Sequence, residues 1–143
     1  MTQPKKPLMA VTLHRPWPYA ITDLEKGIEN RPWRCHLTPG DLLAIHAGKA
    51  WDEEAVGWIE SVFRCNLGPE DQHPLGIIAI CTFAGNITES EDPWFVGPIG
   101  WQLQDVTPIV PVPCGGAQRL WRVQDPVLRQ VRINYHNALH GGA

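Results

Sequence analysis

The middle of the chain has no cationic side chain: residues 65–118 contain neither lysine nor arginine, but they contain six acidic residues. Residues 1–64 hold eight basic and eight acidic residues, and residues 119–143 hold four arginines and one aspartate. This distribution, with a net charge of −3, argues against a protein that attracts long nucleic acids over its whole surface. Folding would have to assemble any anion-binding surface from both ends of the chain, with Arg15, Lys26, Arg31, Lys49 and Arg119 as its components.

Several other signals are missing. The longest uncharged run, 72–88, is too short and too polar to span a bilayer, and no secretory signal is present. We therefore expect a soluble, cytoplasmic protein without a membrane partner. The four cysteines lack the CxxC or histidine-rich spacing of a zinc site, so neither a metal nor another cofactor is expected. The GxSxG, HExxH and Ser-His-Asp patterns of common hydrolases are also absent.

The breaker residues and the apolar pattern predict the fold. Fourteen prolines and thirteen glycines in 143 residues exclude long helices and favour short strands joined by turns. Apolar segments predict strands over 11–13, 41–47, 75–83, 101–103, 106–110 and 120–123, and 28–33 is expected to be extended at an edge. Helical spacing predicts helices over 18–26 and 53–64, and a third after Asp125-Pro126. The chain is thus predicted to be α+β, a small β-barrel of five to six short mixed strands with about three flanking helices. It forms a single domain, 11–143, which includes the C-terminal helix and follows a flexible N-terminal lead, 1–10.

One short segment is dense in residues that bind anions. Lys26, Glu29 and Arg31 lie within six residues at a predicted helix-to-strand junction. The period of two in a strand places Glu29 and Arg31 on the same side. The segment could present two cations and one carboxylate to a single cleft, or it could be a solvated ion-pair patch that contributes little.

Two further groups of residues are candidates for ligand contact. His46 ends a predicted strand and leads into Gly48 and Lys49, which places an imidazole and an ammonium at the rim of a sheet. The alternative for His46 is a histidine whose hydrogen bonds are made by the backbone. Among the seven tryptophans, Trp17 and Trp94 lie beside prolines and charges, where an indole can stack on a base or can pack beneath a loop.

The order of these motifs resembles the ASCH domain family, whose fold is PUA-like. The resemblance covers about 11–124 and is carried by Leu13-His14-Arg15-Pro16-Trp17, Lys26-x-x-Glu29-x-Arg31-Pro32-Trp33, 40–47, Pro93-Trp94-Phe95-x-Gly97-Pro98-x-Gly100-Trp101 and Leu120-Trp121-Arg122-Val123. It implies a β-barrel with flanking helices and a positively charged cleft that contains the Lys/Glu/Arg signature. PUA-like relatives bind RNA or modified bases. One ASCH branch hydrolyses N4-acetylcytidine with a Lys-x-x-Thr-x-Arg signature, in which Glu29 occupies the threonine position here.

Three functions are compatible with these residues. The first is a module that binds RNA or a modified nucleobase or nucleotide. Its ligand contacts would be Arg15, Trp17, Lys26, Glu29, Arg31, His46, Lys49 and Trp94. The second is a hydrolase on RNA or a modified nucleoside, of ribonuclease or amidohydrolase type, in which Lys26 stabilises negative charge and Glu29 activates water. The third is a protein-interaction module that uses exposed aromatics; the sequence does not identify its partner.

Overall fold

The computed structural model describes residues 6–141. In chain order its elements are β1 (Met9–Arg15), α1 (Trp17–Asp23), β2 (Ile28–Arg31), β3 (Leu42–Trp51), α2 (Glu53–Phe63), β4 (Gly76–Ile87), β5 (Ile99–Val112), β6 (Leu120–Arg122) and α3 (Val127–His140). A short 3₁₀ helix, Glu70–Gln72, precedes β4.

The strands form one mixed sheet in the order β2-β5-β4-β3-β1-β6. β1 and β3 pair in parallel, whereas the other neighbouring strands are antiparallel. A parallel pair needs a long crossover, and the segment that contains α1 and β2 provides it. The sheet and its helices confirm the predicted α+β class with mixed strands and about three helices.

The sheet is not closed by backbone pairing, in contrast to the predicted barrel. β2 and β6 are edge strands, and no strand pairing joins them within residues 6–141. The sheet nevertheless curls enough to bring β2 close to β1, since Arg31 Nη2 of β2 donates to the carbonyl oxygen of Thr12 in β1 at 3.3 Å. Beyond the two edges, the Arg119 guanidinium lies 5.2 Å from the ring centroid of Trp33. Side chains therefore bridge the gap between β2 and the β1–β6 edge, which we call the seam.

Apolar side chains are buried on both faces of the sheet. Alternate residues of β1 and β3 belong to different core clusters, so the two clusters lie on opposite faces. α3 covers one of these faces with Val131. Burial on both faces explains why β3 and β4 read as almost continuous apolar runs. A third cluster joins α1 and α2 to the loop that precedes β5, through Ala20, Ala55, Ile59, Leu67 and Trp94.

α2 closely follows the sequence prediction. The Asp52 carboxylate accepts a hydrogen bond from the Ala55 backbone N–H at 3.0 Å, which caps the first turn. Glu53 and Glu54 lie at the positive end of the helix, where negative charge is stabilising. Arg64 adopts a left-handed conformation with φ 51° and ends the helix.

α1 is shorter than predicted. It ends at Asp23, and Glu25 then turns into the left-handed region with φ 58°. The Lys26 N–H donates to the Ala20 carbonyl oxygen at 3.0 Å. Lys26 therefore follows the helix instead of lying in its last turn.

β5 is one strand where two were predicted. Asp105, in its middle, has a left-handed φ of 52°, which bends the strand. The residues on both sides stay paired with β4, Leu103 with Phe83 and Thr107 with Ile80, so pairing continues across the bend.

Part of the predicted N-terminal lead belongs to the fold. Met9 and Ala10 are the first residues of β1, and Lys6 pairs with Asp41 at 2.8 Å. Residues 1–5 of that lead, and the last two residues of the predicted domain, lie outside the described residues.

No helix within residues 6–141 has the length and the apolar composition needed to cross a membrane.

Candidate functional site

A cleft of about 930 Å³ lies along the seam. Strands β1, β2 and β3 form its floor and walls, and the segment between β5 and β6 forms another side. Its lining residues are Thr12, His14, Arg31, Trp33, His46, Ala47, Gly48, Lys49, Leu75, Pro113, Cys114, Gly115, Gly116, Ala117, Gln118 and Arg119.

The cleft is basic although the protein is acidic. Arg31, Lys49 and Arg119 line it together with His14 and His46, and none of its described lining residues is an aspartate or a glutamate. Three of the five cations that folding was expected to assemble therefore meet at one place. A cleft of one charge sign raises the local concentration of small anions.

Lys26, Glu29 and Arg31 form a chain of alternating charge. The two oxygens of the Glu29 carboxylate accept from different cations, Oε1 from Lys26 Nζ at 3.1 Å and Oε2 from Arg31 Nε at 3.0 Å. Pairing of β2 with β5 places Glu29 opposite Trp101 in the register. Glu29 and Arg31 share a side of β2, as the period of two predicts.

Burial differs along this charge chain. Lys26 is 2% exposed and Glu29 is 8% exposed, and the Lys26 ammonium lies 5.1 Å from the ring centroid of Trp17. The Arg31 side chain is 19% exposed and borders the cleft. Neither Lys26 nor Glu29 is part of the cleft lining. Of the three residues, only Arg31 is placed to meet a molecule in the cleft.

Arg31 has N–H groups left over for a ligand. Nε donates to Glu29 and Nη2 donates to Thr12, but the described residues offer no acceptor to Nη1. Within residues 6–141, every buried side-chain nitrogen has a hydrogen-bond partner. Arg31 Nη1 has no partner among these residues, so it is not buried and solvent reaches it. Glu29 and Thr12 hold one side of the guanidinium and leave Nη1 available.

His46 lies in the wall of the cleft with both ring nitrogens bonded to protein. Nε2 lies 2.9 Å from the Cys114 carbonyl oxygen, and because a carbonyl only accepts, Nε2 carries a proton. Nδ1 lies 3.1 Å from Thr12 Oγ1. The Thr12 oxygen in turn accepts from Trp121 Nε1 at 3.0 Å. His46 was predicted to contact the ligand, but its hydrogen bonds go to the protein, as in the alternative considered for it.

Arg15 was predicted to contact the ligand, but it is only 5% exposed and lies outside the cleft lining. Its five N–H groups meet five acceptors at 2.9–3.2 Å: the carbonyl oxygens of Gly48, Lys49, Glu70 and His73 and the carboxylate of Glu70. Arg15 thus clamps the end of β3, which carries Lys49, to the 3₁₀ helix. No donor remains for a ligand.

Trp17 and Trp94 were predicted to stack on a base, but neither lines the cleft. Trp94 is 4% exposed and stacks on Phe63 with ring centroids 3.9 Å apart and an interplanar angle of 7°. Trp17 packs against Trp58 at 6.2 Å. The two indoles belong to the cluster between α1, α2 and the loop before β5, because apolar neighbours surround them.

The cleft also contains residues outside the predicted site. Trp33 is half-buried at its rim, with Arg119 over its ring, and His14 is exposed beside them. Trp33 follows Arg31 by two residues, so the period of two that places Glu29 and Arg31 on one side also applies to Trp33. Nothing local identified Gly115 and Gly116, because their segment has no charge and no periodic pattern.

The four cysteines are unpaired. Cys81 lies in the core, and burial raises the pKa of its thiol from 9.0 to about 12. Burial also raises the pKa of Cys35 and of Cys114. Within the described chain, no three His, Cys, Asp or Glu side chains lie close enough together to hold a metal ion.

Comparison with solved structures identifies the fold. No protein family profile and no curated protein matches the chain. Among solved structures, an ASCH protein from Zymomonas mobilis matches with 13% identity and a TM-score of 0.54, over 87% of this chain and 93% of its own. A tyrosine-to-phenylalanine variant of ASCH from the same organism matches with 12% identity and a TM-score of 0.54, over 90% of this chain and 98% of its own. The curled sheet with its three helices is therefore an ASCH-like fold, the fold that the order of the sequence motifs predicted.

Proposed function

We propose that the cleft binds a nucleotide or a short stretch of RNA, including one with a modified base. One observation carries this proposal: Arg31, Lys49 and Arg119 come from three separate segments and meet in a cleft whose described lining has no carboxylate. In a chain of net charge −3, that arrangement attracts phosphate locally and not over the whole surface.

An aromatic surface supports a nucleotide over a simple anion. Trp33 lines the cleft together with Arg31 and Arg119, and the Arg119 guanidinium is 5.2 Å from its ring centroid. Flat aromatic rings and guanidinium planes are the surfaces on which unpaired bases stack. Trp33 and Arg119 would take the stacking role that the sequence assigned to Trp17 and Trp94.

The size of the cleft and the distribution of charge favour a short ligand. A volume of about 930 Å³ lies at the upper end of the usual range for small-molecule sites. The six acids of the segment 65–118 lie outside the cleft lining, and they would repel a long polyanion that extended beyond the cleft. One or two nucleotides would meet the three cations without extending over those acids.

The buried positions of Lys26 and Glu29 favour binding over hydrolysis. A general base must come within hydrogen-bonding reach of the proton that it removes. Both oxygens of Glu29 are occupied by Lys26 and Arg31, and Glu29 does not line the cleft. Lys26 and Glu29 would hold Arg31 in place, so that the Arg31 guanidinium contacts phosphate.

The unpaired cysteines agree with a reducing compartment. Cys35, Cys65, Cys81 and Cys114 form no disulfide. Reduced thiols are the usual state in the cytosol, and a cytoplasmic location is part of the proposal.

Fluorescence anisotropy with labelled single-stranded oligoribonucleotides over a range of salt concentrations tests the proposal. Three phosphate contacts predict a slope of log affinity against log salt of about −2, and Lys49→Ala should reduce its magnitude by about 0.7 and weaken binding. Arg129→Ala removes the same charge from an exposed position on α3, away from the cleft, and should leave the slope unchanged.

Equal binding by the two variants would contradict phosphate contact in the cleft. Oligoribonucleotide binding that is insensitive to salt would also contradict it, since an interface without phosphate contacts releases few counterions.

A further inference from the structure

We propose that the segment 113–118, which we call the strap, recognises the base of the ligand through its main chain, and that His46 is the residue that positions it. This inference rests on the proposed function, because it concerns which part of the cleft reads the base. The strap lies between the end of β5 and Arg119, and it lines the cleft along its whole length.

The main chain of the strap has N–H and C=O groups that are not engaged in backbone hydrogen bonds. Between the end of β5 and the start of β6, the described residues show no backbone–backbone hydrogen bond within the strap or to its neighbours. Gly115, Gly116, Ala117 and Gln118 are exposed, so their N–H and C=O groups are open to a ligand. Two successive glycines leave no side chain between that backbone and a flat base, which can approach closely.

A chain of three hydrogen bonds holds the strap to the sheet. It runs from Trp121 Nε1 to Thr12 Oγ1 at 3.0 Å, from Thr12 to His46 Nδ1 at 3.1 Å, and from His46 Nε2 to the Cys114 carbonyl oxygen at 2.9 Å. The Trp121 ring packs edge-on against the imidazole, with centroids 5.4 Å apart. Because both ring nitrogens are engaged, His46 has one orientation, and it fixes the strap at Cys114.

The two glycines have different surroundings. A Cβ on Gly116 would overlap Thr12 Oγ1 and would lie 2.7 Å from His46 Nδ1 and Cε1. A Cβ on Gly115 would meet nothing within 4 Å. The main chain at Gly116 therefore lies directly on the Thr12–His46 pair, and a methyl group there must displace either the strap or the imidazole.

These contacts separate base recognition from phosphate binding. The hydrogen bonds of neutral main-chain groups to a base edge change little with salt, whereas contacts of Arg31, Lys49 and Arg119 with phosphate depend strongly on it. We therefore expect displacement of the strap to change the base preference, and loss of a cation to change the salt dependence of binding.

The test compares Gly116→Ala with Gly115→Ala in the full chain. Affinity is measured for four short homo-oligoribonucleotides, of uridine, cytidine, adenosine and guanosine, at several salt concentrations. We expect Gly116→Ala to lose about tenfold in affinity for the preferred base, the effect of one misplaced hydrogen bond, and to keep the wild-type salt slope. Gly115→Ala should retain the base preference of the wild type.

A second pair of variants covers the case in which Gly116→Ala fails to fold. His46→Gln keeps an N–H donor near the position of Nε2 and should retain most of the preference for the base. His46→Phe keeps a ring but no donor to Cys114, and it should lose that preference while its salt slope stays unchanged.

The outcomes distinguish the two proposals. Suppose that the wild type prefers one base and that Gly116→Ala and His46→Phe keep the same preference. The strap then does not read the base. If the wild type binds without base preference, this inference is likewise overturned while the proposed function stands. If no oligoribonucleotide or nucleotide binds, both proposals are wrong.

Discussion

The Glu29→Gln substitution keeps the shape of the side chain but removes the negative charge between Lys26 and Arg31. Oε1 and Oε2 of Glu29 lie 3.1 Å and 3.0 Å from the two cations, and Lys26 is 2% exposed. Removing one partner of a buried ion pair costs about 3–5 kcal/mol, because the remaining charge stays buried without compensation. The glutamine still offers one carbonyl acceptor, so we expect a loss near the lower end, about 3 kcal/mol.

Urea unfolding monitored by tryptophan fluorescence measures this loss, and Lys26→Met completes a double-mutant cycle. Lys26→Met removes the buried cation and leaves Glu29 paired with Arg31, so it should cost less than Glu29→Gln. The double variant no longer buries an unpaired ammonium. It should therefore be more stable than the sum of the two single losses by about 1–3 kcal/mol.

An exposed ion pair is the control for burial. Lys6 pairs with Asp41 at 2.8 Å, but the Lys6 side chain is 67% exposed. Lys6→Ala should cost only about 0–1 kcal/mol, because solvent screens an exposed pair. If Glu29→Gln costs no more than Lys6→Ala and the cycle gives no coupling, the buried charges do not stabilise this region of the protein.

Two further predictions concern the core thiol and a helix glycine. Burial raises the pKa of Cys81 from 9.0 to about 12, so its contribution to stability is complete below pH 9.0 and is lost as the pH rises towards 12. The stability difference between wild type and Cys81→Ala in urea should narrow by about 1.4 kcal/mol per pH unit above that point, and a constant difference would refute the assignment. Gly57 lies inside α2, where an added methyl group would meet open space, and Gly57→Ala should raise the unfolding free energy by about 0.5–1 kcal/mol. Gly76→Ala, at φ +97° and against the Val112 carbonyl, should lower it; equal effects would contradict the backbone argument.

The helices and strands whose bounds depend on neighbouring residues could be predicted from the sequence. Helical spacing over 53–64 predicted α2, whose first turn Asp52 caps, and the apolar run 41–47 marked the first part of β3. The lengths of elements were less predictable where tertiary pairing overrides local preference. β5 continues through the left-handed Asp105 because pairing with β4 resumes on its far side.

The separation between charges that line the cleft and charges that are buried could not be read from the sequence. Lys26 and Arg31 have the same charge and lie five residues apart, yet Lys26 is buried against Trp17 and Arg31 borders the cleft. Burial depends on what packs over a side chain in three dimensions, and the spacing of charges along the chain does not show that packing. The same reason placed Trp94 on Phe63 and Arg15 among backbone carbonyls.

The sequence by itself determined the α+β class and an ASCH-like order of motifs, and it predicted that any basic site would combine the two ends of the chain. Periodicity, capping and charge distribution are local properties, and they can be read before folding. Only the tertiary structure decided that the candidate site lies at the seam between β2 and the β1–β6 edge. Curling of the sheet brings Arg31, Lys49, Arg119 and the strap together there, and their separation along the chain leaves no local trace of that contact.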